Sequence, residues 1–196
     1  FYKEIINFVI NKDLFFKIIL SSIPVMIIGF FLVELNLIDS LRNIKVIAWM
    51  TIVFGILLYV SDKFKLSKDL NNNFTLKNAL VIGLFQVLSL IPGVSRSGIT
   101  ITGARFLNFK RVDASKISFL MSIPVLGAIS IFGLRELYST NDLNLSIVSL
   151  TSIIFSFICS LITIKFFLIY VKKSSLLIFV IYRILLGASL LYISYL

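Results

Sequence analysis

The residues best placed to do chemistry are Ser95-Arg96-Ser97-Gly98-Ile99-Thr100, directly after Pro92-Gly93-Val94. Pro92-Gly93 makes a turn, and Ser97 is the predicted N-cap of a helix starting at Gly98. A helix start presents free N–H groups and the positive end of its dipole to an anion. Arg96 adds a planar guanidinium that can grip phosphate through two parallel hydrogen bonds. Ser95, Ser97, Thr100 and Thr102 add hydroxyl donors. The pattern reads as a cradle for a phosphate group. A purely structural alternative stays open, in which Arg96 ties the turn to carbonyls of neighbouring helices and Ser97 is an ordinary cap. Nearby, Gln86 could donate into the site or satisfy local backbone, and Arg183 needs a partner wherever it sits. The chain contains no histidine, which excludes imidazole chemistry. The lone Cys159 can form no intrachain disulfide. All nine carboxylates fall in loops or at the ends of apolar runs, so none is placed to hold a metal or act as a base at the turn.

The elements that must carry this cradle are apolar helices. Of 196 residues, 59% are hydrophobic and only 14% charged, with mean hydropathy +1.04. Soluble domains run at about 45–50% apolar and about 25% charged, so the expected solvent is a bilayer. Five runs are long enough to span one: Leu14–Leu35, Ile44–Val60, Ile117–Leu134, Leu145–Ile164 and Leu176–Leu196. Pro24 and Pro124 are expected to kink two of them. Between the second and third, two short apolar arms flank the Gly/Pro/Ser-rich break, over residues 79–107. They read as a re-entrant helix-loop-helix hairpin or as one broken crossing helix.

Loop charge separates the two. If both arms return to one side, that side holds fourteen Lys and Arg and the other only Arg42, Lys45 and Arg135. If the segment crosses, the tally becomes eight against nine. Cytoplasmic loops collect Lys and Arg, so the re-entrant reading is preferred, with Phe1 inside and Leu196 outside. Arg105, in the second arm, is then expected to snorkel to the inner surface. The same rule accounts for the net charge of +10 without a nucleic-acid partner. The predicted architecture is an all-α polytopic membrane bundle of five spanning helices and one hairpin. It divides into residues 1–60, a polar cytoplasmic loop over 61–78, and residues 79–196.

The stretch from Gln86 through Pro92-Gly93-Val94-Ser95-Arg96-Ser97-Gly98 to Ile101 closely resembles the second signature of the undecaprenyl-diphosphatase (bacitracin-resistance protein) family. The resemblance continues through Arg111–Pro124 and returns at Ile181-Tyr182-Arg183. It implies an integral membrane hydrolase that converts undecaprenyl diphosphate to undecaprenyl phosphate, the lipid carrier recycled for peptidoglycan. It further implies two re-entrant hairpins in inverted repeats and a site open to the outer side of the inner membrane. The implied cofactor is a divalent cation, magnesium or calcium. In that picture Arg96, with Ser95 and Ser97, acts on the diphosphate, while Gly93, Gly98, Thr100 and Gln86 bind substrate or support the loop. The expected partners are the polyprenyl diphosphate lipid and the bilayer, with a homodimer left open.

The family's first signature, with two glutamates, a Pro-Val-Ser-Ser string and a histidine, is not in these residues. The chain, which begins at Phe1, therefore reads as the carboxyl-terminal two-thirds of such an enzyme: two spans of the first repeat and all of the second. Alone it is expected to release little phosphate, with the cation's ligands lying outside it. The competing function is a transporter or flippase for an anionic lipid or solute, which also builds sites from broken helices.

Overall fold

A computed structural model describes residues 10–35, 37, 42–64, 67–139 and 147–196, with side chains for all of these except 136–139 and 147–148. Lys3, Glu4, Asp39, Lys65, Asp142 and the expected span start at Leu145 lie outside the described residues. Among the described residues, eight α-helices follow in order: α1 Lys12–Glu34, α2 Ile44–Asp62, α3 Leu70–Asn73, α4 Leu76–Val87, α5 Arg96–Phe106, α6 Arg111–Ser139, α7 Ile147–Lys173 and α8 Leu177–Tyr195. A 3-10 turn, Leu88–Leu90, extends α4.

Five of these helices are long and apolar enough to cross a membrane: α1, α2, α6, α7 and α8. Their polar side chains turn inward on their own backbones. The hydroxyls of Ser21 and Ser22 donate to the Ile18 carbonyl, and those of Thr51, Ser61 and Ser122 to carbonyls three or four residues back. This satisfies the hydroxyls where water is absent. Large apolar side chains face outward, such as Ile131 (71% exposed) and Phe155 (73% exposed), as lipid solvation requires. Pro24 and Pro124 both lie inside helices, α1 and α6.

The short helices α4 and α5 form a hairpin whose two ends meet. Before it, Lys68 pairs with Phe109 in an isolated parallel bridge. The Ser67 and Lys68 amides donate to the Asn108 carbonyl at 3.2 and 3.0 Å, and Lys110 N–H donates to the Lys68 carbonyl at 3.0 Å. Asn108, at φ 69°, makes the turn that ends α5; asparagine tolerates this left-handed conformation better than most residues. The hairpin arms are better bounded than the apolar pattern suggested. The first begins at Leu76 because the Thr75 hydroxyl caps it through Asn78 N–H at 3.2 Å. The second begins at Arg96, and its cap is Ser95, not Ser97: Ser95 Oγ accepts from Gly98 N–H at 3.2 Å. The polar stretch after α2 is also more ordered than a loop, with Leu70 and Phe74 buried in the core.

Packing follows small residues. α1 lies against α4, where Gly83 meets Ser21 so closely that a side chain there would overlap the Ser21 carbonyl. α8 lies against α2 through Gly187 and Gly55. Small residues let apolar helices approach in lipid, where van der Waals contact replaces the hydrophobic drive. The buried core gathers around the hairpin's closed end, with Ile18, Ile82, Phe109, Ile117, Leu120 and Met121 fully enclosed.

Candidate functional site

At the far end of the hairpin the chain turns through Pro92-Gly93-Val94. Gly93 has φ +92°, a conformation open to glycine. It also rests on α2, where a Cβ would overlap the Ile47 carbonyl. Both constraints demand glycine at this position. The Gly93 carbonyl accepts two hydrogen bonds, from Arg183 Nη2 at 2.9 Å and from Thr51 Oγ1 at 3.3 Å. The turn is thus clamped to α2 and α8.

Arg183 makes this clamp and remains available. Its Nε donates to the Thr51 carbonyl at 3.2 Å, and its Nη1 lies beside Gly98, 3.0 Å from where a Cβ would sit. The side chain is buried and has no carboxylate partner among the described residues. A cleft of about 430 Å³ opens here, lined at its polar end by Thr51, Gly93, Ser95, Ser97, Gly98 and Arg183. Ser95 and Ser97 are exposed, with their hydroxyls 3.3 Å apart. Because Ser95 Oγ occupies the Gly98 amide, the amides of Arg96 and Ser97 are left at the helix start without a partner among the described residues. A guanidinium, two hydroxyls and the positive end of α5 therefore converge, with no carboxylate among the described residues lining the cleft. That arrangement attracts an anion.

The expected site residues divide. Ser95, Ser97, Gly93 and Gly98 line the cleft. Arg96 stands at the first position of α5, half-buried, and its side chain forms no hydrogen bond or ion pair among the described residues. Thr100 is buried against α6, its hydroxyl 2.6 Å from Ser118 Oγ, and does not reach the cleft. Gln86 is fully buried, with neither side-chain polar atom bonded. The residue undervalued by sequence is Arg183. Its signal was a charge inside an apolar run, but which turn it met is a tertiary fact.

Arg105 does not snorkel. It is fully buried, donating from Nη1 to the Phe109 carbonyl at 2.8 Å and from Nη2 to the Asp62 and Phe64 carbonyls at 2.7 and 3.1 Å. Its Nε lies 3.5 Å from an Asp62 carboxylate oxygen. Asp62 also takes a fork from Arg111 at 2.7 and 3.0 Å, and the Leu176 amide at 3.2 Å. The carbonyls left free where α2 and α5 end are what hold this guanidinium inside. Of the described carboxylates, Asp13, Glu34, Asp62, Asp69 and Asp113, none lines the cleft. Asp69 pairs with Lys110 at 2.6 Å, and that contact raises the lysine's pKa above its ordinary value.

A family model described as bacitracin resistance protein BacA matches residues 4–189. An undecaprenyl-diphosphatase of Pelagibacter ubique is 45% identical over 196 residues, covering 100% of this chain and 76% of the relative. One of Jannaschia sp. is 39% identical over 185 residues, 94% of this chain and 69% of the relative. One of Saccharophagus degradans is 44% identical over 185 residues, 92% of this chain and 67% of the relative.

Proposed function

The chain belongs to the bacitracin resistance protein BacA family, and from that premise we propose that its cleft is the diphosphate end of a lipid phosphatase site. The reaction is hydrolysis of undecaprenyl diphosphate to undecaprenyl phosphate and phosphate, the activity carried in the names of its relatives. The product is the carrier lipid reused for peptidoglycan. The observation that carries this reading is the meeting of Arg183 with the Ser95–Gly98 helix start, across elements 90 residues apart. Breaking a phosphoanhydride is mostly positioning and charge neutralisation. Arg183 and Arg96 offset negative charge on the diphosphate, while Ser95, Ser97 and the α5 amides orient its oxygens.

A divalent cation remains an expectation from the family. Among the described residues no three His, Cys, Asp or Glu side chains converge. The cleft's guanidinium, amides and hydroxyls suit an anion, so these residues do not fit a cation. Its carboxylate ligands would come from residues other than these.

The re-entrant arrangement is supported by the pairing of Lys68 with Phe109, which returns the hairpin to its starting end. It is supported also by Asp62, Arg105, Arg111 and Leu176 meeting there, while Lys45 lies over the Tyr195 ring at the bundle's other end. On this reading the Lys/Arg-rich end is cytoplasmic, the host is the inner membrane, and the site opens outward. The second hairpin of an inverted repeat and a homodimer belong to the same proposal.

The test is phosphate release from undecaprenyl diphosphate by the full-length protein in detergent. Arg96→Ala and Arg183→Ala should each lower turnover by about 100-fold or more, the effect of losing a preorganised donor at a developing charge. Wild-type turnover in Arg96→Ala removes Arg96 from the site. Movement of the intact lipid across vesicles without cleavage replaces the phosphatase reading with the transporter one.

A further inference from the structure

A hydroxyl inside an apolar helix ordinarily gives its proton to a carbonyl one turn back on the same helix. On α6, Ser115 donates in this way to the Arg111 carbonyl at 2.8 Å, and Ser122 to the Phe119 carbonyl at 2.6 Å. Ser118, buried between them, reaches across to α5 instead. Its hydroxyl lies 2.6 Å from Thr100 Oγ1 and 3.4 Å from the Ser97 carbonyl. Both contacts fall at the start of α5, where the Arg96 and Ser97 amides are left over by the Ser95 cap.

Each hydroxyl carries one proton. Thr100 has acceptors for its own in the Arg96 carbonyl at 2.9 Å and the Ser97 carbonyl at 3.1 Å. The Ser118 proton then goes to Thr100 Oγ1, the shorter of its two contacts. Ser118 thus acts on the one side chain that already braces the first two carbonyls of α5. Before the cap, Gly93 is fastened to α2 and α8 by Thr51 and Arg183. The cleft residues Ser95, Ser97 and Gly98 therefore lie between two fastenings, one at the turn and one on α6. Ser118 itself does not line the cleft.

Resting on the diphosphatase reading, we infer that Ser118 is a positioning residue for that site, acting through Thr100 to fix the direction in which the α5 helix start faces the diphosphate. Donors aimed at developing charge lose much of their effect when they are displaced. Loss of the Ser118 hydroxyl should therefore reach the chemical step more than the binding of substrate, which the guanidinium groups still attract. It should cost little stability, because Thr100 keeps its bonds to the Arg96 and Ser97 carbonyls and no buried polar atom is orphaned.

The test uses the full-length protein in detergent with undecaprenyl diphosphate. Ser118→Ala should lower kcat by about tenfold and change KM by about twofold or less, with the thermal midpoint within about 2 °C of wild type. Ser118→Thr and Ser118→Val have the same shape and differ only in the hydroxyl, so the threonine variant should turn over about tenfold faster than the valine one. Equal turnover in that pair, or a loss in Ser118→Ala matched by a fall in thermal midpoint, overturns the inference. A second measurement needs no turnover. The thiol of Ser97→Cys sits at the α5 start, where the helix end favours its thiolate and speeds alkylation. Adding Ser118→Ala should slow alkylation at that position by about threefold, read by peptide mass spectrometry. Slowed alkylation in a protein whose wild type releases no phosphate rejects the phosphatase reading and leaves the positioning role standing. Normal phosphate release with both kcat and alkylation unmoved by Ser118→Ala does the reverse.

Discussion

The two ends of the α4–α5 hairpin use the same side chain for opposite purposes. At the closed end, Arg105 and Arg111 surround Asp62: both Nη groups of Arg105 donate to carbonyls, Nε and Nη2 of Arg111 donate to the Asp62 carboxylate, and Arg105 Nε faces Asp62 from 3.5 Å. At the turn, Arg183 also spends donors on carbonyls, those of Thr51 and Gly93, yet no carboxylate answers its charge among the described residues. The Arg96 side chain, at the start of α5, likewise forms no hydrogen bond or ion pair among them. A guanidinium that is matched in charge holds a fold together. One that is positioned but unmatched leaves a charge to be answered, on the proposed reading by the substrate diphosphate. Burial alone does not separate the two cases, since Arg105 and Arg183 are both buried.

The sharpest way to break this contrast is to remove the negative charge at the closed end. Asp62→Ala leaves two guanidinium groups, one fully enclosed, facing each other and the end of α2. Truncating one partner of such a buried network costs about 3–5 kcal/mol. Loss of folded protein in detergent, read as a drop in thermal midpoint, is expected, with Asp62→Asn intermediate. An Asp62→Ala protein of unchanged thermal stability would show that the closed end does not hold the hairpin. The turn should answer differently. Arg183→Ala removes about 100-fold or more of turnover, about 2.7 kcal/mol in barrier at the lower limit, while thermal stability falls by less than in Asp62→Ala. If stability falls as far at the turn as at the closed end, Arg183 is a structural clamp and the contrast fails.

A smaller effect is expected at Gly93. Gly93→Ala forces a side chain into φ +92° and against the Ile47 carbonyl, for a cost of about 1–3 kcal/mol. The turn shifts to relieve the overlap, so both substrate affinity and turnover should decline even where the protein still folds. Unchanged kinetics and stability would mean that the turn tolerates movement and that its clamp to α2 does not position the site.

Much of this was legible in the chain because lipid makes strong demands. Five runs of apolar residues were enough for the five long helices, and the break between two short apolar arms for the paired short helices α4 and α5. Pro92-Gly93 and the serine-arginine-serine string marked the turn and the start of α5. What stayed hidden were contacts between distant helices. Nothing local to Asp62 or Arg105 says that they meet, because their pairing depends on α2 and α5 ending at the same level. The cap moved from Ser97 to Ser95 for a similar reason: either serine can cap, and the packing of α5 on α6, with Thr100 against Ser118, selects the register. Gln86, read as a donor to the site or to local backbone, is fully buried with both side-chain polar atoms unbonded.

Thr51 gives the finest test of how the turn is positioned. Its hydroxyl donates to the Ile47 carbonyl at 2.7 Å and reaches the Gly93 carbonyl at 3.3 Å, so it is shared between its own helix and the turn. Thr51→Val keeps the shape and removes both contacts. The Arg183 bond to Gly93 remains, so the turn stays clamped by its stronger donor. The loss is expected at about 0.5–1.5 kcal/mol, the net worth of one ordinary hydrogen bond. If the bond positions the turn, that loss appears in turnover on undecaprenyl diphosphate, with thermal stability nearly unchanged. If it appears in stability alone, the hydroxyl serves α2 and the clamp on Gly93 is the work of Arg183.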